Sequence, residues 1–160
     1  MRVLVTGHKG YIGSIMVPML QKAGHHVVGL DSDLYRNSVY GEAPPEVPGI
    51  LKDVRDIEKS DLAGIDAIIH LAGLSNDTLG DLNPKLTYDI NHAASVRLAA
   101  MAKELGISRF VFASSCSNYG AAADGMQDEK ATLNPVTPYA ISKVMVERDV
   151  GQLADDKFSP

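Results

Sequence analysis

Val3-Leu4-Val5-Thr6-Gly7-His8-Lys9-Gly10-Tyr11-Ile12-Gly13 is the stretch on which the fold turns. A short apolar run leads into three glycines, and a helical pattern over residues 12–23 follows, closed by Gly24. Gly7 permits a tight turn, Gly10 lets the backbone approach a pyrophosphate with no Cβ in the way, and Gly13 allows helix and strand to pack closely. The helix start, at Tyr11 and Ile12, presents free N–H groups and a partial positive charge to phosphates. A second apolar run, Val27-Val28-Gly29-Leu30, ends at Asp31, eighteen positions past Gly13. A carboxylate there accepts ribose hydroxyl hydrogens and repels a 2′-phosphate, and no Arg immediately follows to welcome one. Strand, glycine turn, helix, strand and acid in this order predict a dinucleotide site that takes NAD.

The same alternation continues along the chain. Ile50-Leu51, Ala67-Ile68-Ile69-His70-Leu71 and Phe110-Val111-Phe112-Ala113 read as further strands. They are apolar throughout rather than alternating, as in a parallel sheet covered on both faces. A helical stretch spans about residues 84–105, with Ala94, Leu98, Met101, Ala102 and Leu105 at helical spacing and Gly106 as C-cap. A final helix starts near Pro135–Pro138 and is placed over 136–155. The order predicts an α/β, Rossmann-like doubly wound parallel sheet, one domain over residues 1–160, with its strand C-termini on one edge. Two turn-rich connections interrupt it, 32–49 with Gly41, Pro44, Pro45, Pro48 and Gly49, and 120–138 with Gly120, Gly125, Pro135 and Pro138. The second has the length of a functional lid. Pro18 predicts a local kink in the first helix.

Composition narrows the function classes. The chain has 160 residues, 45% hydrophobic and 22% charged, with a net charge of −5 and singly scattered basic residues. Neither a nucleic acid nor an anionic membrane is an expected partner, since either needs clustered Lys and Arg. No apolar run approaches the roughly 20 residues of a membrane span. A single cysteine, Cys116, excludes an intrachain disulfide and points to a reducing cytoplasm. His8, His25, His26, His70 and His92 have no zinc-ligand spacing with Cys116, so no metal is expected.

The chemistry lies further on, in Tyr139-Ala140-Ile141-Ser142-Lys143. Helix positions four apart share one face, roughly 6 Å apart. An ammonium beside a phenol stabilises the phenolate, which can then serve as a general base toward a substrate hydroxyl. The preceding strand ends in Ala113-Ser114-Ser115-Cys116-Ser117-Asn118-Tyr119-Gly120, and strand C-termini are where reacting groups belong in this architecture. Cys116 reads as a structural thiol, because no base or cation is assigned to activate it.

The G-x-x-G-x-x-G spacing, the Y-x-x-x-K pair and the serine-rich strand end together resemble the extended branch of the short-chain dehydrogenase/reductase family. The likeness covers essentially the whole chain. Ser114 to Gly120 resembles the family's S-S-x-x-x-Y-G motif, and Pro135 to Lys143 its P-x-x-P-Y-x-x-S-K neighbourhood. The resemblance implies that Ser115 binds the reacting oxygen beside Tyr139 and Lys143, and that Lys143 also bonds the nicotinamide ribose. Asp53-Val54-Arg55-Asp56 is similar to a D-x-x-D segment whose first acid contacts adenine, and Leu71-Ala72-Gly73 to a strand-end motif lining the cofactor. Glu129 falls where the lid often carries an acid, and Asn91 near a family asparagine. His70 reads as a packed strand residue rather than a catalyst.

Members of this family mostly act on nucleotide sugars. Their dehydratases place an Asp-Glu pair after the catalytic hydroxyl, where this chain has Cys116 and Ser117. The resemblance therefore implies an NAD-dependent nucleotide-sugar epimerase or dehydrogenase working at a sugar C4 hydroxyl; a 4,6-dehydratase is disfavoured, and a dehydratase or reductase of the same family is an alternative. It also implies a homodimer through helices 84–105 and 136–155, and about twice this length, so the sixth strand and the C-terminal substrate-binding region are expected beyond residue 160. A non-catalytic NAD-binding module, or an inactive fragment, is the alternative.

Overall fold

The structure is a computed structural model and describes residues 1–38, 46–120 and 126–160. Gly41, Pro44, Pro45 and Gly125 of the two long connections lie outside the described residues. Five parallel strands form one sheet: β1 (Arg2–Thr6), β2 (His26–Asp31), β3 (Gly49–Leu51), β4 (Ala67–His70) and β5 (Arg109–Phe112). Their spatial order is β3-β2-β1-β4-β5, so the chain runs outward on one side of β1, crosses over, and runs outward on the other. That reversal leaves a crevice beyond the C-terminal ends of β1 and β4, the usual ligand position in doubly wound sheets.

Helix α1 (Tyr11–Lys22) joins β1 to β2. A short α2 (Asp77–Leu82) follows β4. The stretch predicted as a helix over 84–105 is α3 (Pro84–Thr87), one π turn (Tyr88–Ala93) and α4 (Ala94–Glu104) in succession. Helix α5 (Pro138–Gly151) is shorter than the predicted 136–155. Thr137 caps it by accepting from the Ala140 N–H, and Pro138 sits in its first turn, where no intrahelical bond is lost to a missing N–H.

Residues alternate between the two faces of each strand. On β1, Val3 and Val5 point to one side and meet Val17, Val27 and Ala67. Leu4 points to the other, into a larger core with Leu30, Ile68, Leu98, Ala102, Phe110, Val146 and Phe158. Beyond α5 the chain returns to the sheet. Ser159 pairs in parallel with Arg109, and the Phe110 N–H donates to the Ser159 carbonyl at 3.1 Å.

Among the described residues, His70 is the largest polar side chain below 2% exposure, at 1%. Its Nδ1 lies 2.6 Å from the Thr6 hydroxyl and its Nε2 lies 2.7 Å from that of Ser95. The packed role read from sequence agrees with this placement. Burial, and then the nearby Lys143 charge, push its pKa down to about 3 from 6.5. The unfolded chain thus binds a proton between those values that the folded one refuses, so stability falls as pH drops below about 6.5. In urea unfolding between pH 7 and 4 the loss should approach about 1.4 kcal/mol per pH unit below pH 6. A His70→Gln variant should lack this component. An identical slope in the variant would assign the loss to other groups.

Candidate active site

The crevice is built from its glycine end first. Gly7 has φ +70, and a Cβ on it would lie 2.8 Å from the Ala72 nitrogen, so β1 and the chain after β4 approach with nothing between them. A Cβ on Gly13 would lie 2.5 Å from both the Gly7 and His8 carbonyl oxygens. Spacing predicts a helix–strand packing role for Gly13; its tighter constraint is closure of the turn itself. Gly10 is the N-cap of α1, and among the described residues no side chain caps that end. Ser14 N–H is the first to bond within the helix, to the Gly10 carbonyl at 2.9 Å. The N–H groups of Tyr11, Ile12 and Gly13 therefore face out of the first turn, a backbone cradle suited to an anion.

Asp31 closes the other side of this cradle. Its Oδ2 accepts the Lys9 N–H and its Oδ1 the Asp33 N–H, each at 2.9 Å. Two backbone donors thus fix the carboxylate and leave its remaining lone pairs for hydroxyl donors. Asp53 is committed differently. It caps the turn Val54–Asp56 and holds Arg55 by two bonds, Nε at 3.0 Å and Nη2 at 2.8 Å. The Arg55 side chain holds the Asp53 carboxyl below the usual carboxylate range. Val54 is buried with the larger core, so its side chain faces inward. Gly73 lies against Asn91, whose Oδ1 would be 2.9 Å from an added Cβ. Asn91 accepts from the Leu74 N–H at 2.8 Å and donates to its carbonyl at 3.0 Å. The asparagine of the π turn thereby fixes the chain leaving β4, consistent with such turns marking functional sites.

Tyr139 and Lys143 lie one helical turn apart on α5, at 9% and 7% exposure. The Lys143 ammonium stands 5.6 Å from the centre of the Tyr139 ring and 4.5 Å from that of Phe112. It donates to the Ala113 carbonyl at 2.8 Å, just past β5. Burial drives its pKa down to about 8 from 10.5, against a smaller opposing pull from Glu147. Ser115, two residues after Ala113, caps the turn Cys116–Tyr119 by accepting from the Ser117 N–H at 3.2 Å. Cys116 is exposed. The strand end that carries Ser115 is thus tied directly to the helix that carries Tyr139.

Several residues that hold this arrangement are missing from the sequence reading. Glu147, one turn past Lys143, accepts from the Ser114 hydroxyl and from Asn118 Nδ2, the latter at 2.8 Å. It staples α5 to the turn after β5. Asp77, at the start of α2, accepts from the Thr137 and Ser117 hydroxyls. Gly80 of α2 packs on Tyr139, with its Cβ direction 3.0 Å from the tyrosine Cβ. Only the small-residue signal at Gly80 was available in the sequence; the two carboxylates act across 29 to 60 positions. Glu129, the expected lid acid, is exposed.

Known proteins resemble this chain in sequence and in fold. A UDP-glucose 4-epimerase of Neisseria meningitidis serogroup C is 36% identical over 99% of this chain and 50% of its own length. The solved UDP-glucose 4-epimerase of Thermus thermophilus, in complex with NAD, superposes with a TM-score of 0.84 at 29% identity, over 95% of this chain and 50% of that one. MoeE5, solved with UDP-glucose and NAD, gives 0.84 at 30% identity, over 99% of this chain and 51% of its own. The chain spans about half the length of the curated relatives it matches. With residues 3–158 matching that family's model, the chain belongs to the NAD dependent epimerase/dehydratase family.

Proposed function

We propose that this chain is the cofactor-binding and proton-transfer half of an NAD-dependent nucleotide-sugar epimerase or dehydrogenase, acting at a sugar C4 hydroxyl through Ser115, Tyr139 and Lys143. One observation carries the reading: a buried ammonium 5.6 Å from a phenol ring, anchored to the carbonyl at the end of β5. A structural lysine gains nothing from burial at a sheet edge that a methionine would not supply with less desolvation.

The residues present fit NAD. The N–H groups of Tyr11, Ile12 and Gly13, with Gly7 and Gly10, would receive its pyrophosphate. Asp31 would hold the adenosine ribose, and Asp53 with the Val54 backbone would border the adenine. Leu71, Ala72 and Gly73 would line the middle of the cofactor, and Tyr139 and Lys143 its nicotinamide ribose. When bound, NAD supplies the hydride acceptor. Tyr139 takes the proton from the substrate hydroxyl, leaving a ketone once the carbon-bound hydrogen departs as hydride. The Ser115 hydroxyl donates to the reacting oxygen and orients it. Lys143 keeps a positive charge next to the phenol, so that losing its proton is not opposed by the low-polarity surroundings. Cys116 and Ser117 offer no carboxylic acid and carboxylate pair for eliminating water, which favours epimerisation or dehydrogenation over dehydration.

The nucleotide sugar would enter from the α2 and α5 side, next to Asp77 and Ser117. Helices α3–α4 and α5 extend this proposal to a homodimer. The π turn between α3 and α4 is tied to α5 by His92 to Asp149 at 2.7 Å, and α4 is tied to the chain just past α5 by Lys103 to Asp155 at 2.7 Å. The test is incubation of the protein with NAD and, separately, UDP-, GDP- and dTDP-hexoses. Absorbance at 340 nm and chromatography of the sugar products are followed. A C4-epimerised or oxidised sugar is expected with one of them. NAD binding without turnover on any would make the chain a binding module.

A further inference from the structure

Two cations meet two residues past Asp31, although no Lys or Arg directly follows it in sequence. Lys9 and Arg36 converge on Asp33, and both reach the same oxygen, Oδ2, at 2.7 Å for Lys9 Nζ and 3.0 Å for Arg36 Nε. The Asp33 side chain is 8% exposed, while those of Lys9 and Arg36 are 48% and 68% exposed. The anion is thus fixed and the cations are free to swing. The cluster is also joined to Asp31 through the backbone, because the Lys9 and Asp33 N–H groups are the two donors that hold its carboxylate. His8 Nδ1 lies 4.0 Å from Asp31 Oδ2 on the inner side.

We propose that Asp33 selects NAD over NADP by neutralising Lys9 and Arg36, which otherwise form a receiving site for a 2′-phosphate beside Asp31. The inference rests on the reading that Asp31 takes the adenosine ribose. A 2′-phosphate carries close to two negative charges and is bound by nearby Lys or Arg side chains. With Asp33 in place, Asp31 and Asp33 cancel Lys9 and Arg36, and a phosphate meets no net attraction. Without its charge, the pocket carries one net positive charge and two unpaired cations. Hydrogen bonding from Lys9, with a further contribution from Arg36, holds the Asp33 carboxyl below its ordinary value, so the neutralisation persists at neutral pH.

Asp33 sits at φ 56, a left-handed conformation that Asn and Gly adopt readily. Asp33→Asn and Asp33→Gly therefore remove the charge without straining the backbone. The dissociation constants of NAD and NADP are measured by calorimetry for the wild-type protein and both variants, at low salt and at 0.3 M salt. The preference for NAD over NADP should fall at least ten-fold in both variants, more at low salt, and adding Lys9→Met to Asp33→Asn should restore it. A preference within two-fold of wild type, with NAD still bound, would overturn the role of Asp33 alone. A wild-type protein that binds neither cofactor would overturn the ribose assignment of Asp31, and this inference with it.

Discussion

Tyr139→Phe should lower turnover on the order of a thousand-fold, with a far smaller effect on the affinity for NAD. The substitution is nearly isosteric. The ring stays beside Lys143, the Cβ stays against Gly80, and the helix that carries them keeps its Thr137 cap. Only the oxygen is lost, and with it the group proposed to accept the substrate proton. Among the described residues the nearby alternatives are already engaged: His70 is buried with both ring nitrogens bonded and stays neutral, and Glu147 is committed to Ser114 and Asn118. Steady-state rates and calorimetric NAD binding on the same preparation separate the two effects. A rate reduced less than ten-fold would mean that the proton leaves by another route, and the assignment of Tyr139 would fail.

The parts of this site that were legible in the sequence are those whose chemistry is local. The glycine turn, Asp31 and the Tyr139–Lys143 pair each depend on spacing along one turn or one helix, and a sequence displays spacing directly. The doubly wound parallel sheet was legible for the same reason, since apolar runs too short for helices alternate with helical patterns. What escaped acts through space. Asp77 joins α2 to the cap of α5 over 60 positions, and nothing near Asp77 announces that partner. Lys9 joins Arg36 at Asp33, two residues past Asp31, only because the turn after β1 lies against the loop after β2. That no arginine immediately follows Asp31 is true of the sequence and incomplete in space. The over-long α5 has a similar origin. Val146, Val150 and Leu153 keep helical spacing, and Leu153 packs on the core, but it does so from the turn after Gly151. Val54 reads as a loop residue next to an acid and is instead part of the core.

Lys143→Met should abolish measurable turnover and, at the same time, make the protein more stable at pH 7. The two signs have one cause. An ammonium held at 7% exposure loses hydration that a single carbonyl and the Phe112 face only partly replace. Its pKa of about 8 against 10.5 corresponds to a penalty of roughly 3 kcal/mol on the charged form. Methionine fills a similar volume with no charge, and leaving the Ala113 carbonyl without its donor takes back about 1 kcal/mol of that gain. A net stabilisation of about 2 kcal/mol is expected in urea unfolding at pH 7. Its pH dependence identifies the source. Between about pH 8 and 10.5 the unfolded chain still binds the proton that the folded lysine has released, so wild-type stability contributed by this site rises with pH. The gap between wild type and variant should therefore narrow over that window. Turnover should fall over the same window, as the charge beside Tyr139 is lost. A Lys143→Met protein less stable than wild type at pH 7 would show that the ammonium is a net structural asset. The argument that it is retained for chemistry, at the expense of the fold, would then be wrong.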